Sequence, residues 1–500
     1  MNIMKNIYRS IPLILILISV AGCKKFLATT PDQRTQLTTP QKVAELLVTA
    51  YPQADYATFT DAASDGAEDK GALAQSIVKD PVNGDAYLWQ DVRSIDVGSP
   101  TNYWNGAYTA IAAANAALDA INQAPDQTPY LASKGEALVC RAYAHFMLAL
   151  FFAKPFDPAG ANDSPGIPYV TTPEKVVFGQ YSRGTVASTW ASIEQDLLAG
   201  IPLLKDISYT VLKYHFNTTA ANAFAARFYL FKKDYAKVVS YTAAAFPNNT
   251  IAANLRPWNT TYKSVSADAL QIMFTQATQP QNLLLTEAPS TWARNFPFYR
   301  YGFGLMLNGY FNTPTATTTA TTGLTAEVVY YYNVPNYTLL KFQEEFVRQN
   351  ANATIGTPYT IYPLFTTDEL LMERAEAYAN IGGASSDLAL ADINTFLSTR
   401  LSPYNATTMA VTYAKIASTF GTPDVTAGLI ACILDLKRRE FMQEGGVRWF
   451  DEIRLNLPVV HNIKANDNTN TYITLPPSDP RRLFQLPDQV TLSGVPLNPR

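Results

Sequence analysis

ACILDLKRREFMQEGGVRWFDEIR, residues 431–454, reads as one helix, a glycine break and a second helix. Ile433, Leu434, Phe441 and Met442 fall on one side at helical spacing. Gly445 and Gly446 supply the left-handed backbone that ends a helix, and Val447 to Phe450 restart the chain at a new angle. Between them lie Lys437, Arg438, Arg439, Glu440, Glu444, Arg448, Asp451, Glu452 and Arg454, with opposite charges three or four residues apart. Such a stretch is either an acid/base site or an ion-pair network locking two helices together. Chemistry needs a cleft and a partner group, and these residues alone show neither, so the structural reading is preferred.

The chain of 500 residues is long enough for a large core. Its net charge of -3 gives no electrostatic case for nucleic acid or an anionic membrane surface. Only 16% of residues are charged, so polarity is carried by Thr, Asn, Gln and Ser, beside 29 Tyr and 25 Phe. Uncharged polar groups among tyrosines suit a surface for neutral polar ligands, although most of the aromatics must be core. Of three cysteines, Cys140 and Cys432 lie on apolar helical stretches; two buried free thiols are the preferred reading, with a disulfide between them as the alternative. Cys23 closes a leader: Lys5 and Arg9, an apolar run Ile11–Val20 too short to span a bilayer, then Val20-Ala21-Gly22-Cys23, which is similar to a lipobox. Residues 1–22 are therefore expected to be a lipoprotein signal and Cys23 the lipidated residue, giving an anchor in a membrane.

Helices are expected at 39–51, 101–124, from Ser133 to about Phe152, at 187–204, 219–231, 234–246, 370–381, 387–401, 429–442 and 447–455. Ser133-Lys134-Gly135-Glu136 and Thr366-Thr367-Asp368-Glu369 read as capping boxes. Asn115, inside an apolar stripe, is expected to bond a neighbouring helix and His145 to be a satisfied core residue. Trp104 and Tyr108, followed by Ala142, Phe146, Ala149 and Pro155, resemble a tetratricopeptide unit, and similar pairs recur at irregular spacing. The fold class is thus mainly α, a tetratricopeptide-like helix-pair solenoid with a large irregular, loop-rich insertion. The scaffold occupies about 101–246 and 366–456 of a single domain 23–500, and loop-rich regions occupy about 55–100 and 251–362. Within the second loop region, Tyr330-Tyr331-Tyr332 has strand character and 313–322 is a Thr/Ala low-complexity run read as a loop.

Arg439-Glu440, Glu444-Gly445, Arg448-Trp449-Phe450-Asp451 and Arg454 resemble the signature near the end of SusD/RagB-family proteins, surface lipoproteins of Bacteroidetes that bind nutrients, mostly glycans. Arg141-Ala142-Tyr143 with Gly166-Ile167-Pro168, Glu369-Leu370-Leu371-Met372 with Ala375-Glu376-Ala377, and Leu483-Phe484-Gln485-Leu486-Pro487 are similar to further family segments in the same order. The resemblance implies a SusD-like α/α fold, no catalysis and no cofactor. It also implies outer-membrane, surface-exposed attachment and a SusC-like TonB-dependent transporter as partner. In that family, ligand residues come from one loop set before the first repeat and another in the later insertion. The matching positions are around Asp80, Asn83 and Trp89, and around Trp292, Tyr299, Tyr301 and Tyr310. An Asp-x-Arg that the family often carries after the region matching Tyr310 is not found.

The residues themselves offer no catalytic constellation. The three histidines, His145, His215 and His461, are scattered, and no metal-protease, redox or phosphate-loop motif occurs. A sugar ring presents apolar C–H faces to Trp and Tyr and hydroxyl edges to Asn, Asp, Arg and Gln. Capture of an oligosaccharide is therefore the expected function. A peptide-binding RagB-like lipoprotein, a tetratricopeptide envelope adaptor and a surface glycosidase are the alternatives.

Overall fold

The computed structural model describes residues 37–72, 74, 80–176, 179–311 and 329–500. The leader, Cys23 and the 313–322 run lie outside the described residues. The chain opens with α1 (Pro40–Leu47), capped by Thr39, and α2 (Ala57–Ala63). A two-residue strand β1 (Glu68–Asp69) and α3 (Pro81–Tyr87) follow. The first long pair is α4 (Pro100–Gln123) and α5 (Leu131–Phe152), and α6 (Val186–Gly200), α7 (Thr218–Phe231) and α8 (Tyr235–Ala245) continue the stack. Then come α9 (Ala267–Thr275), β2 (Asn282–Pro289), α10 (Trp292–Asn295), β3 (Tyr301–Gly302) and α11 (Leu305–Phe311). Four strands succeed them: β4 (Val329–Asn333), β5 (Asn336–Leu339), β6 (Glu345–Arg348) and β7 (Gly356–Thr366). The second helical block is α12 (Thr367–Ile381), α13 (Ser385–Ser398), α14 (Ala406–Met409), α15 (Tyr413–Phe420), α16 (Val425–Glu440) and α17 (Val447–Arg454). A hairpin of β8 (Val459–Lys464) and β9 (Asn470–Leu475) closes the set.

Helices pack in sequential pairs, α4 on α5, α5 on α6, α7 on α8 and α12 on α13, and α12 also packs on α8 and α16, joining the two blocks. The mainly helical, tetratricopeptide-like architecture read from the sequence is the one observed. By length and apolar composition Thr128–Phe152 could cross a membrane, but its residues 135–152 are all buried inside the protein. It is the core helix of the solenoid, with Cys140, Phe146, Met147 and Phe151 fully enclosed. Cys140 and Cys432 are buried free thiols, as expected. Asn115 accepts from Arg141 across the pair at 2.9 Å and donates to the Val170 carbonyl, while His145 is satisfied by the Arg141 carbonyl and the Val170 N–H.

Two local expectations are corrected. Ser133 does not cap α5; the helix already starts at Leu131 after a short 3-10 turn, without a side-chain cap. Glu136, read as the other half of that capping box, is instead buried and accepts from Tyr51 at 2.6 Å and from His215 at 2.7 Å. At the second box Thr366 does cap α12, but the Glu369 carboxylate turns away to pair with Arg227. The 251–362 region is less irregular than its composition suggested. It contains α9 and the antiparallel sheet β2-β7-β6, whose strand β2 is buried along most of its length.

The stretch 431–454 is the hub of the fold. Gly445 and Gly446 have φ of 53° and 86°. A Cβ on Gly445 would stand 2.6 Å from that of Ala57, and one on Gly446 2.8 Å from the Phe450 ring, so only glycine fits the turn. The charges are buried and paired, but mostly with distant segments. Arg256 forks onto Glu444 at 2.7 and 2.8 Å and reaches Glu440 at 3.0 Å, and Lys341 meets Glu444 at 2.6 Å. Arg454 forks onto Glu376 of α12 and also bonds Asp451, which holds Lys437 at 2.8 Å. Arg448 grips Asp65 through two bonds of 2.7 Å. Burial alone would raise the Glu440 carboxyl, yet Arg400, Arg256 and Lys341 hold it well below the ordinary range. These charges lock the two helices to the rest of the chain.

Candidate functional site

The two loop-rich regions meet. β1 pairs antiparallel with β3, Glu68 opposite Gly302 and Asp69 opposite Tyr301. Asp69 takes a two-pronged bond from Arg300 at 2.7 and 2.8 Å and accepts the Lys464 N–H at 3.0 Å. Asn83 of α3 donates to the Tyr301 carbonyl at 2.7 Å. The hairpin β8-β9, which no sequence feature had drawn into the site, supplies the third wall: Asn462 donates to the Asp69 carbonyl and to Asn470.

Aromatic rings stack through this junction. Trp89 lies on His461 with centroids 4.4 Å apart, His461 on Tyr87 at 4.0 Å, and Tyr87 on Tyr301 at 4.2 Å, all within 19° of parallel. Trp89, Tyr87 and His461 are buried, and Tyr301, at the outer end, is half-buried. Both ring nitrogens of His461 face carbonyls, Nδ1 that of Tyr87 and Nε2 that of Ser64; burial disfavours its charged form, while the two carbonyls favour it. Three residues upstream, Phe298 sits 5.1 Å from Tyr332, which in turn lies 4.8 Å from Tyr330. Tyr330 and Tyr332 occupy alternate positions of β4, hence one side of the strand, and both are exposed. Tyr472 of β9 is also exposed; it shares a strand face with Asn470, whose amide reaches Met306 of α11.

Beneath these rings lie two buried charges of opposite sign. Glu68 accepts the N–H groups of Met306 and Leu307, both at 3.1 Å, at the start of α11. Lys70 donates to the Pro297 carbonyl at 2.8 Å and to Asn336 at 3.1 Å. Burial pushes Glu68 up to about 7 and pulls Lys70 down to about 7. The two groups hold the segment before Tyr301 and the β4-β5 hairpin in place.

The residues expected to contact ligand separate into two sets. Asn83, Trp89, Trp292 and Tyr299 are buried, with Trp292 and Tyr299 each only 1% exposed. The expectation that these four present a binding surface is corrected: their side chains build the site from below. Asn83 ties α3 to β3, Trp89 donates to the Ala63 carbonyl, and Trp292 packs on Phe296 and Phe342. Tyr310 is half-buried, but its hydroxyl bonds Asp435 at 2.7 Å and the guanidiniums of Arg438 and Arg439 lie 4.4 and 4.2 Å from its ring, so it fastens α11 to the hub. Asp80 caps α3 through the Val82 and Asn83 N–H groups and is half-buried. Tyr301 and Asp80 remain within reach of solvent. Sequence reasoning did not select Tyr330, Tyr332 or Tyr472, and it covered Phe298 only within the aromatic run from Trp292 to Tyr310. The strand reading of 330–332 carried the signal, because residues two apart on a strand share a face.

Among the described residues no group of three or more His, Cys, Asp or Glu could hold a metal. The arrangement offers flat aromatic faces, hydroxyls and an Arg300–Asp69 pair at a surface, mounted on a network that is already hydrogen-bonded.

Residues 25–230 match the model of a SusD-like family described as starch-binding and associating with the outer membrane. No curated protein sequence matches the chain. In three dimensions it is similar to a SusD superfamily protein of Bacteroides thetaiotaomicron VPI-5482, with TM-score 0.66 and 17% identity, covering 92% of this chain and 100% of that one. A SusD-like carbohydrate-binding protein of Bacteroides vulgatus ATCC 8482 aligns with TM-score 0.62 and 15% identity over 91% of this chain and 96% of the other. A laminarin-binding SusD-like protein aligns with TM-score 0.62 and 16% identity, over 92% and 99%.

Proposed function

We propose, from the premise that the chain belongs to the SusD/RagB family, that it binds a neutral glycan at the cell surface without altering it and delivers it to a SusC-like TonB-dependent transporter. The observation that carries this reading is the set of rings at the junction of the two loop regions, exposed Tyr330 and Tyr332 with half-buried Phe298 and Tyr301. Tyrosine faces stack on the C–H faces of a sugar while hydroxyls, Asp80 and Arg300 meet its edges. The rings need little reordering to bind, because Tyr301 ends a fixed stack and Lys70 pins the hairpin below Tyr332. No chemical step and no cofactor enter this mechanism. Residues 1–22 act as the signal and lipidated Cys23 anchors the chain in the outer membrane, so that the site lies next to the transporter.

The reading is tested by screening the full chain against a glycan array, then titrating the best glycan into wild type and the double variant Tyr301→Ala/Tyr332→Ala. Saturable binding lost in the variant, with the glycan recovered at its original length, is the expected result. New reducing ends would make the protein an enzyme, and an array without a hit alongside peptide binding would replace the glycan with a peptide. Co-purification with a transporter encoded beside it checks the partner.

A further inference from the structure

Away from the aromatic junction, a cavity of about 380 Å³ opens where four chain segments converge. The segments are the exit from α5, the turn between α7 and α8, the end of α17, and the turn at 478–483. Its charged lining is Lys154, Asp157, Lys233, Arg454, Asp479 and Arg482.

Arg482 is the informative member. It is 4% exposed, and its guanidinium donates to the Glu452 carbonyl at 2.6 Å and the Pro476 carbonyl at 3.4 Å. Most other buried guanidiniums meet carboxylates, as Arg141 with Asp196, Arg227 with Glu369, Arg256 with Glu444, Arg374 with Asp392 and Arg454 with Glu376; Arg183, like Arg482, is held by carbonyls alone, but it does not line this cavity. Among the described residues no carboxylate lies within ion-pair distance of Arg482, and Lys154 and Lys233, both exposed, have none either. Glu452 and Asp479 attract Arg482 only from beyond ion-pair distance, and burial outweighs them, so an incoming anion would relieve a cost that remains. The acidic lining does not cancel the excess: Asp479 is engaged by Arg481 at 2.8 Å, which leaves Asp157 against three unpaired cations. Arg454, shared between Glu376 and Asp451, adds none.

The rim is also held in shape. Lys233, Asn456 and Ser478, all lining residues, have φ of 58°, 52° and 61°, the left-handed region that such side chains rarely adopt. Asn456 and Ser478 bond each other in both directions, at 3.1 and 2.8 Å. Half-buried Phe156 lines the cavity as well, an apolar face beside the cations.

We infer that this cavity binds a small oxyanion-bearing solute, a carboxylate or phosphate carried on a group the size of one sugar ring, with Arg482 and the two lysines as its counter-charges. The volume exceeds what a bare inorganic anion fills and lies within the usual range for a small organic ligand.

The test is calorimetric titration of the full chain with inorganic phosphate, glucose 6-phosphate and glucuronate, with glucose as the neutral control, at fixed ionic strength. Saturable binding of the anions but not of glucose is expected, weakening as chloride is raised. If the anionic sugars bind at least about tenfold tighter than phosphate, the ring is recognised; equal affinities would overturn the sugar-sized part of the assignment. Lys154→Ala/Lys233→Ala removes only exposed, unpaired groups, so it folds, and it should weaken anion binding by about tenfold or more. Binding at the aromatic junction should be unchanged in that variant. Absence of saturable anion binding at millimolar concentrations, or an unchanged affinity in the double lysine variant, would overturn the site.

Discussion

The C-terminal hub and the aromatic junction are built on opposite principles. In the hub, buried side chains carry full charges neutralised mostly by partners from elsewhere in the chain, Arg256 with Glu440 and Glu444 and Arg454 with Glu376, and in part within the stretch, Lys437 with Asp451. At the junction, uncharged rings stand beside one ion pair, Arg300 with Asp69, and the charges beneath them, Glu68 and Lys70, are satisfied mainly by backbone groups and an amide. Paired charges in a dry interior fix geometry, because a lost partner leaves an uncompensated charge. Neutral rings at a surface can gain and release a solute without any such penalty. The difference explains how one chain can be rigid in its frame and open at its face.

The largest effect should come from breaking the hub. Arg256→Ala leaves buried Glu440 with Arg400 and buried Glu444 with Lys341 as their remaining cations and should lower unfolding free energy by about 3–5 kcal/mol, read from urea denaturation. A loss below about 1 kcal/mol would mean that the surrounding cations suffice. Comparable in size, Trp292→Ala at the buried base of the junction should cost about 3–5 kcal/mol of stability, the usual loss for a core aromatic. If Trp292→Ala instead kept full stability and lost only ligand binding, the division between base and surface would be wrong.

A smaller effect separates the two regions by pH. Glu68 rises from an ordinary 4.5 to about 7 in the fold, so the folded state holds its proton more tightly than the unfolded chain. The cost of burying the Glu68 charge is absent below about 4.5 and complete above about 7, where it amounts to about 3 kcal/mol. Glu68→Gln should therefore gain stability relative to wild type as pH climbs through that window, measured by paired denaturation curves. A constant difference would place the Glu68 charge in contact with solvent. Lys70, lowered by burial to about 7, works in the opposite sense between about 7 and 10.5, where the folded state gains stability as pH rises. The smallest expected change is at the surface. Tyr332→Ala should leave stability within about 0.5 kcal/mol while weakening glycan binding about tenfold. Destabilisation by more than about 2 kcal/mol would move Tyr332 into the structural set.

What was legible depended on how far apart the interacting residues lie. Helical periodicity is local, and so the scaffold helices, the strand at 330–332 and the turn at Gly445-Gly446 could all be read from neighbouring residues. Capping is nearly local, and there the outcome was mixed. Thr366 caps as read, whereas Glu136 is drawn away by Tyr51 and His215, which are distant in sequence. The junction residues were recognised as a region but not as individuals. Trp89 and Tyr301 look alike as aromatics on loops, and only the His461 and Tyr87 rings between them decide which is buried and which faces out.

The sequence by itself therefore determined the helix-pair frame, the glycine turn and the extent of the two loop regions, because each follows from spacing and residue type along a few turns of chain. Tertiary structure alone decided the partners of the buried charges, the pairing of β1 with β3, the arrival of the β8-β9 hairpin and the exposure of each ring. Those are contacts between segments hundreds of residues apart, and burial is a property of what packs on a side chain, not of the side chain.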